Sequence, residues 1–308
     1  MTDTPRFPDF FVLGAMKAGT TSLHHYVTQH PDVLVQADKE PTYFASDGTP
    51  PVWLGPGDDQ HVVRRRAWDE AAYLDMYARA PGVLAGDFSV QYLPLPEVPD
   101  RLLSAVPDAR LVVILRDPVL RAHSAWKMWR QIGRETLSFR DALEAEEERR
   151  AAGWAPVWWY RDLGRYGEQV ARWLDRGGDD RMLVVRTEDL ARDPVGVVQT
   201  IYTHIGLDPT FEPDTRERLN VRTSVPRSSR VQRWIRDTRS SSKRLAMKVP
   251  APVRRRAGAA LRRGNTAQPK IDAAVAAELR RGYAEDLALL GDRTGLDVRH
   301  WIRPTDTR

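Results

Sequence analysis

The chain has 308 residues, a formal net charge of +5, 42% hydrophobic residues and no cysteine. That length can bury a full α/β core in one domain, and the lack of cysteine excludes disulfides, thiolate metal sites and cysteine nucleophiles. The apolar runs fall far below the roughly 18 residues of a membrane helix, Met1-Thr2-Asp3-Thr4-Pro5 lacks a signal-peptide layout, and the histidines show no metal-ligand spacing, so a cytoplasmic, metal-independent protein is expected.

The segment from Phe10 to Leu23 reads as a buried strand, a loop bounded by Gly14 and Gly19, and a helix start. Such a turn offers an anion backbone N–H groups at a helix N-terminus, and the hydroxyls of Thr20, Thr21 and Ser22 add donors. The glycine separation matches the G-x-x-x-x-G-K-S/T loop of nucleotide triphosphatases, but Thr20 stands where that pattern requires lysine. The loop's lysine is Lys17 instead. It can reach a phosphate or a leaving-group oxygen, without the usual β/γ-phosphate and magnesium grip.

From His30 to Phe44 a short apolar strand runs into an acidic and aromatic turn. Glu40, partly desolvated by Tyr43 and Phe44, would have the raised proton affinity of a general base; the alternative is that Lys39-Glu40 is a solvated pair before Pro41. Asp87 follows an apolar run and either faces the same cleft or caps a turn beside Ser89. His24 and His25 lie inside the first helix. His61 sits in a Gly/Pro/Asp-rich loop, and none of the three is placed like a base.

Leu111 to Leu115 is a run of apolar, largely β-branched residues that predicts a central parallel strand, followed by Arg116-Asp117-Pro118 and a helix. Arg116 then sits at the carboxyl end of the strand, where open α/β sheets bind ligands, and suits bidentate phosphate recognition. Ser124, about two helical turns on, can share the same phosphate. The plain alternative is a turn with a helix cap.

Further along, four acids between Glu144 and Glu148 precede Arg149-Arg150 and predict a solvated helix face. Trp154 to Tyr160 is an aromatic cluster that serves either as core lid or as a stacking surface for an acceptor. Gly164 to Trp173 reads as a helix start, and Met182 to Leu190 as a strand leading into a helix, both in packing roles. From Arg227 to Lys270 there are fourteen Lys or Arg against one acid, Asp237, an excess that suits nucleic acid, an anionic membrane surface or electrostatic steering of a polyanion toward the cleft, with Arg262 and Arg263 as phosphate-contact candidates. The Arg, Ala and Asp usage leads us to expect a high-GC bacterial source.

The K-x-G-T-T-S-L run from Lys17 resembles the 5′-phosphosulfate loop of sulfotransferases that use 3′-phosphoadenosine 5′-phosphosulfate (PAPS). Arg116 to Ser124 is similar to their R-D/N-P-x-x-R-x-x-S pattern, and Lys39 to Phe44 resembles the K-E-P-x-x-F segment of the carbohydrate (heparan-type) and related bacterial branch. Gly86 to Tyr92 resembles G-E-K-S/T-P-x-Y but has Phe88 in place of the lysine, and the likeness continues through Tyr166 and Leu183 to Trp301. The resemblance implies a P-loop NTPase-like α/β fold, with a mostly parallel, five-stranded sheet flanked by helices on both faces. One domain over 1–308 is implied, with a basic, variable, lid-like segment at about 227–270. It implies that Lys17, Ala18, Gly19, Thr20, Thr21 and Ser22 hold the 5′-phosphosulfate, Arg116 and Ser124 the 3′-phosphate, and that Glu40 is the catalytic base with Lys17 assisting the leaving group. The implied acceptor is a small-molecule, glycosidic or lipid hydroxyl, with no nucleic acid, no transmembrane segment and peripheral membrane contact left open. A P-loop kinase or NTPase, or a non-enzymatic nucleic-acid- or membrane-binding protein, are the alternatives.

Overall fold

Phe10–Gly14 (β1), Val33–Leu34 (β2), Leu84–Asp87 (β3), Arg110–Leu115 (β4) and Met182–Arg186 (β5) pair in parallel as one sheet, ordered β2-β3-β1-β4-β5. The computed structural model describes residues 3–35, 38–58, 68–217, 225–226 and 266–303. Every residue of β1 is buried, as is β4 beyond Arg110, because helices cover both faces of these central strands. The chain leaves β1 toward β3 and β2 and later returns to β1's other side as β4, so the carboxyl ends of β1 and β4 flank the point where the strand order reverses. That crevice is the usual ligand edge of an open α/β sheet.

Among the described residues the α-helices are Thr20–Val27 (α1), Glu70–Asp75 (α2), Val98–Ala105 (α3), Pro118–Gln131 (α4), Phe139–Glu144 (α5), Glu146–Ala151 (α6), Tyr166–Trp173 (α7), Thr187–Arg192 (α8), Pro194–Ile205 (α9) and Ala273–Thr294 (α10). The Asp117 carboxylate accepts from the N–H groups of Val119 at 2.8 Å and Leu120 at 3.1 Å, and Pro118 opens α4 where no N–H is needed. The cap and the phosphate-site reading of Arg116-Asp117-Pro118 are therefore compatible: aspartate starts the helix and arginine is left for the crevice. α7 packs on α10 so closely that a Cβ on Gly167 would lie 2.0 Å from the Asp286 carbonyl oxygen. Asp286 also accepts from Gly167 N at 2.8 Å and Glu168 N at 2.9 Å, which caps the start of α7.

One sequence expectation changes here, and one open alternative is narrowed. The acidic run at 144–148 is not one solvated face, since Glu146 is 6% exposed and accepts from the N–H groups of Arg161 and Asp162 at 2.6 and 2.9 Å. In the aromatic cluster Trp158 and Tyr160 are core, while Trp154, Val157 and Trp159 are half-buried. Trp158 stacks on Trp129 with ring centroids 4.8 Å apart, its Nε1 donates to Asp58 at 2.9 Å, and the buried Tyr160 hydroxyl donates to Glu135 at 3.0 Å.

Val225–Pro226 (β6) pairs antiparallel with Thr266–Ala267 (β7), and the backbone of β6 lies against α4. Most of the basic segment, including Arg262 and Arg263, lies outside the described residues, as does His61. Among the described residues no helix is long and apolar enough to cross a membrane.

Candidate active site

The loop after β1 is held from several sides. Ala15 N donates to Ile114 O of β4 at 2.7 Å, and Ala18 N closes a turn onto Ala15 O at 3.1 Å. Lys17 and Gly19 take left-handed φ values of 73° and 101°, the second of which favours glycine. The Thr187 hydroxyl lies 2.5 Å from the carbonyl oxygen of Ala18 and 2.9 Å from that of Leu115, which bridges the loop to β4 from the start of α8. α1 then begins at Thr20 with neither a side-chain cap nor an acid in its first turn. Its leading N–H groups, with the half-buried Thr21 and Ser22, form a donor set that fits an anionic phosphate or phosphosulfate.

Arg116 leaves the end of β4 and its Nη1 donates to the carbonyl of Lys17 at 3.3 Å. The Lys17 ammonium points across to α4, where it donates to Met128 Sδ at 3.5 Å. Ser124 lies one turn before Met128 on the same helix, with Lys127 three residues along. Burial and then the neighbouring Arg116 charge lower the Lys127 pKa. Lys17, Arg116 and the Ser124 face of α4 thus converge beside the loop, and Lys127 adds a third partly buried cation to which an anion would be complementary. His123, stacked on Trp126 at 5.3 Å, contributes no charge near neutrality, because burial, then Lys127 and Arg116, lower its pKa to about 4.

Glu40 reaches the loop through its neighbour. Lys39 Nζ donates to Glu40 Oε1 at 3.2 Å and to Thr20 Oγ1 at 3.4 Å. The side chains of Lys39 and Glu40 are 20% and 33% exposed, so the pair is half-buried rather than the solvated surface pair of the alternative reading. The aromatic neighbours do other work than sequence suggests. Tyr43 stacks on Tyr73 at 4.5 Å and donates to Glu70 at 3.0 Å, while Phe44 is buried.

The turn after Glu40 is suspended from a buried polar network. Thr42, at a left-handed φ of 56°, donates its N–H to Ser89 Oγ at 2.9 Å, and Phe44 N donates to Tyr92 Oη at 3.2 Å. Asp87 accepts from Tyr73 Oη at 2.8 Å, Tyr92 Oη at 2.9 Å and Ser89 N at 2.8 Å. Asp87 has no exposed surface, so of its two sequence readings the turn-capping one holds. Burial raises its pKa to about 6 against the pull of those hydrogen bonds. Phe88 is buried, and His24 stands edge-on to it with ring centroids 4.7 Å apart.

Sequence reasoning gave Lys39 no role beyond pairing with Glu40, and passed over Lys127, Met128 and Thr187. Lys127 carried a signal, being three residues after Ser124 on one helix; the other three depend on distant segments meeting.

A family model described as the sulfotransferase family matches residues 96–213. A solved sulfotransferase from Alicyclobacillus acidocaldarius superposes with a TM-score of 0.76 at 31% identity, covering 97% of this chain and 100% of that one. Heparan sulfate glucosamine 3-O-sulfotransferase 6 of Homo sapiens is 29% identical over 208 residues, 66% of this chain and 53% of that protein. The bifunctional heparan sulfate N-deacetylase/N-sulfotransferase 4 of Mus musculus is 27% identical over 218 residues, 66% of this chain and 23% of that protein. The chain spans about a quarter to about half the length of these curated relatives.

Proposed function

This chain belongs to the sulfotransferase family, and on that premise we propose that it is a PAPS-dependent O-sulfotransferase acting on a small-molecule or carbohydrate hydroxyl. The observation that carries the reading is the line of contacts Thr20 Oγ1, Lys39 Nζ, Glu40 Oε1, which sets a carboxylate beside the anion-binding loop. A kinase reading has no lysine at position 20, where the triphosphate loop requires one. The basic segment belongs to the same domain in this reading and steers the polyanionic donor; its base at β6 lies against α4, the helix that carries Ser124.

When bound, the donor supplies a sulfuryl group whose bond to the 5′-phosphate oxygen breaks as its bond to the acceptor oxygen forms. The N–H groups and hydroxyls of Gly19 to Ser22 hold the 5′ end, with Ala18 as the buried backbone link. Lys17 neutralises charge gathering on the phosphate oxygen that leaves. Glu40 takes the acceptor's hydroxyl proton. Arg116 and Ser124 hold the 3′-phosphate, with a fork that an adenosine lacking that group would leave unpaired. These cations and N–H groups supply the positive field, so magnesium is not required. The heparan sulfate glucosamine 3-O-sulfotransferase relative supports a sugar hydroxyl as acceptor.

The test is transfer of radiolabelled sulfate from PAPS to a panel of sugar, phenol and lipid alcohols. Labelled ester with the wild-type chain and its loss in Glu40→Gln support the reading. Label transfer that persists unchanged in Glu40→Gln removes Glu40 as the base, and no label on any acceptor counts against the activity.

A further inference from the structure

Lys39 touches both halves of the site. Its Nζ lies 3.4 Å from Thr20 Oγ1, at the first residue of α1, and 3.2 Å from Glu40 Oε1. A group that moves in line from a donor on the loop to an oxygen whose proton Glu40 removes has to cross the space between these two atoms. The Lys39 ammonium stands at that crossing, with 20% of the side chain exposed. During such a transfer the oxygens that stay on sulfur carry negative charge throughout, and a cation already in place stabilises them without reorganisation.

The neighbouring groups do not take that role. Phe88, at 1% exposure, is buried and carries no charge. His24, against it, is neutral near pH 7, since burial and then the charges of Lys39 and His25 lower its pKa to about 4. Lys17 stands on the α4 side of the loop, against Met128 Sδ, and is assigned to the phosphate oxygen that leaves.

We infer that Lys39 is the residue that binds the sulfuryl oxygens of the donor, exchanging its contact with Thr20 for them while staying beside Glu40. This rests on the donor and base assignments proposed above. It divides the work of the two lysines. Lys17 serves the bond that breaks, and Lys39 the group that moves.

PAPS and its product 3′-phosphoadenosine 5′-phosphate (PAP) differ only by the sulfuryl group, so the ratio of their dissociation constants isolates this contact without any acceptor. Competition calorimetry on wild type, Lys39→Met and Lys39→Arg, with melting curves for each, provides the ratio. Lys39→Met should weaken PAPS binding by about tenfold or more and PAP binding by less than about twofold, as expected for losing one charge-assisted contact. Lys39→Arg, which keeps the charge, should recover most of the PAPS affinity. Equal weakening of both ligands, or of neither, overturns the assignment; Lys39→Gln gives the same comparison should the methionine variant melt early. A wild-type chain that binds neither compound defeats the donor reading itself and Lys39 with it, whereas wild-type binding with an unchanged Lys39→Met ratio defeats Lys39 alone.

Discussion

Arg116 Nη1 donates to the backbone carbonyl of Lys17 across 3.3 Å, so the carboxyl end of β4 supports the loop that follows β1. In the proposed reading one guanidinium both steadies the loop and meets the 3′-phosphate. Arg116→Ala should weaken PAP binding roughly ten- to a hundredfold, the scale of a lost charged hydrogen bond. Arg116→Lys should recover only part of it, because an ammonium cannot present a planar fork. Unchanged titration curves for the alanine variant would contradict the assignment.

Glu40→Gln keeps the size of the side chain and removes its ability to accept a proton. Turnover should fall at least about a hundredfold, while PAP affinity stays within about twofold of wild type. Steady-state kinetics on whichever acceptor the screen yields, paired with calorimetry, separates the two quantities. Loss of PAP binding in this variant would instead make Glu40 a support for the loop.

Asp87 gives the fold a pH dependence of known sign. Its carboxyl is raised by burial from the usual 3.8 to about 6, so between those values the folded chain keeps a proton that the unfolded chain has lost. Stability from this group is therefore fully present below pH 3.8 and falls as pH rises through 6. His24 and His123 work the other way: with pKa values lowered from 6.5 to about 4, they disfavour folding as pH drops through that range. Asp87→Asn removes only the first effect. Its stability relative to wild type should rise between pH 4 and pH 7 by up to about 3 kcal/mol, measured by urea unfolding across pH. A difference independent of pH would contradict the burial argument.

The aromatic cluster is a matter of stability. Glu135 accepts from Arg149 Nη1 at 2.8 Å, Arg149 Nη2 at 3.2 Å and Tyr160 Oη at 3.0 Å, while the Arg149 guanidinium lies 4.9 and 5.3 Å from the ring centres of Trp154 and Trp158. Glu135→Ala leaves that cation buried without its partner and should cost about 3–5 kcal/mol in denaturant unfolding. PAP affinity of the folded fraction should hardly change. A loss below about 1 kcal/mol would mean the cluster is wetter than its burial implies.

The sheet, the loop and Arg116 were legible because each is written in consecutive residues: an apolar run, then the glycine or charged residue that ends it. Glu40's contact with the loop was not, since it passes through Lys39 and Thr20, nineteen residues apart in sequence. Thr187 escaped for the same reason, its partner Ala18 lying 169 residues away. Tyr43 and Phe44 were read as cover for Glu40 from adjacency, but both rings belong to a cluster with Tyr73 assembled by the fold. Glu146 shows the converse failure. A run of acids looks solvated in any window, and only the return of Arg161 and Asp162 to its carboxylate gives it a reason to be buried.

The central claim is that the crevice between β1 and β4 binds a nucleotide through a 3′-phosphate and a metal-free 5′ loop. Calorimetric titration with PAP and with ADP, each with and without magnesium, tests it most directly. Tight PAP binding that ignores magnesium, with ADP much weaker, is the predicted result; magnesium-dependent preference for ADP would contradict it.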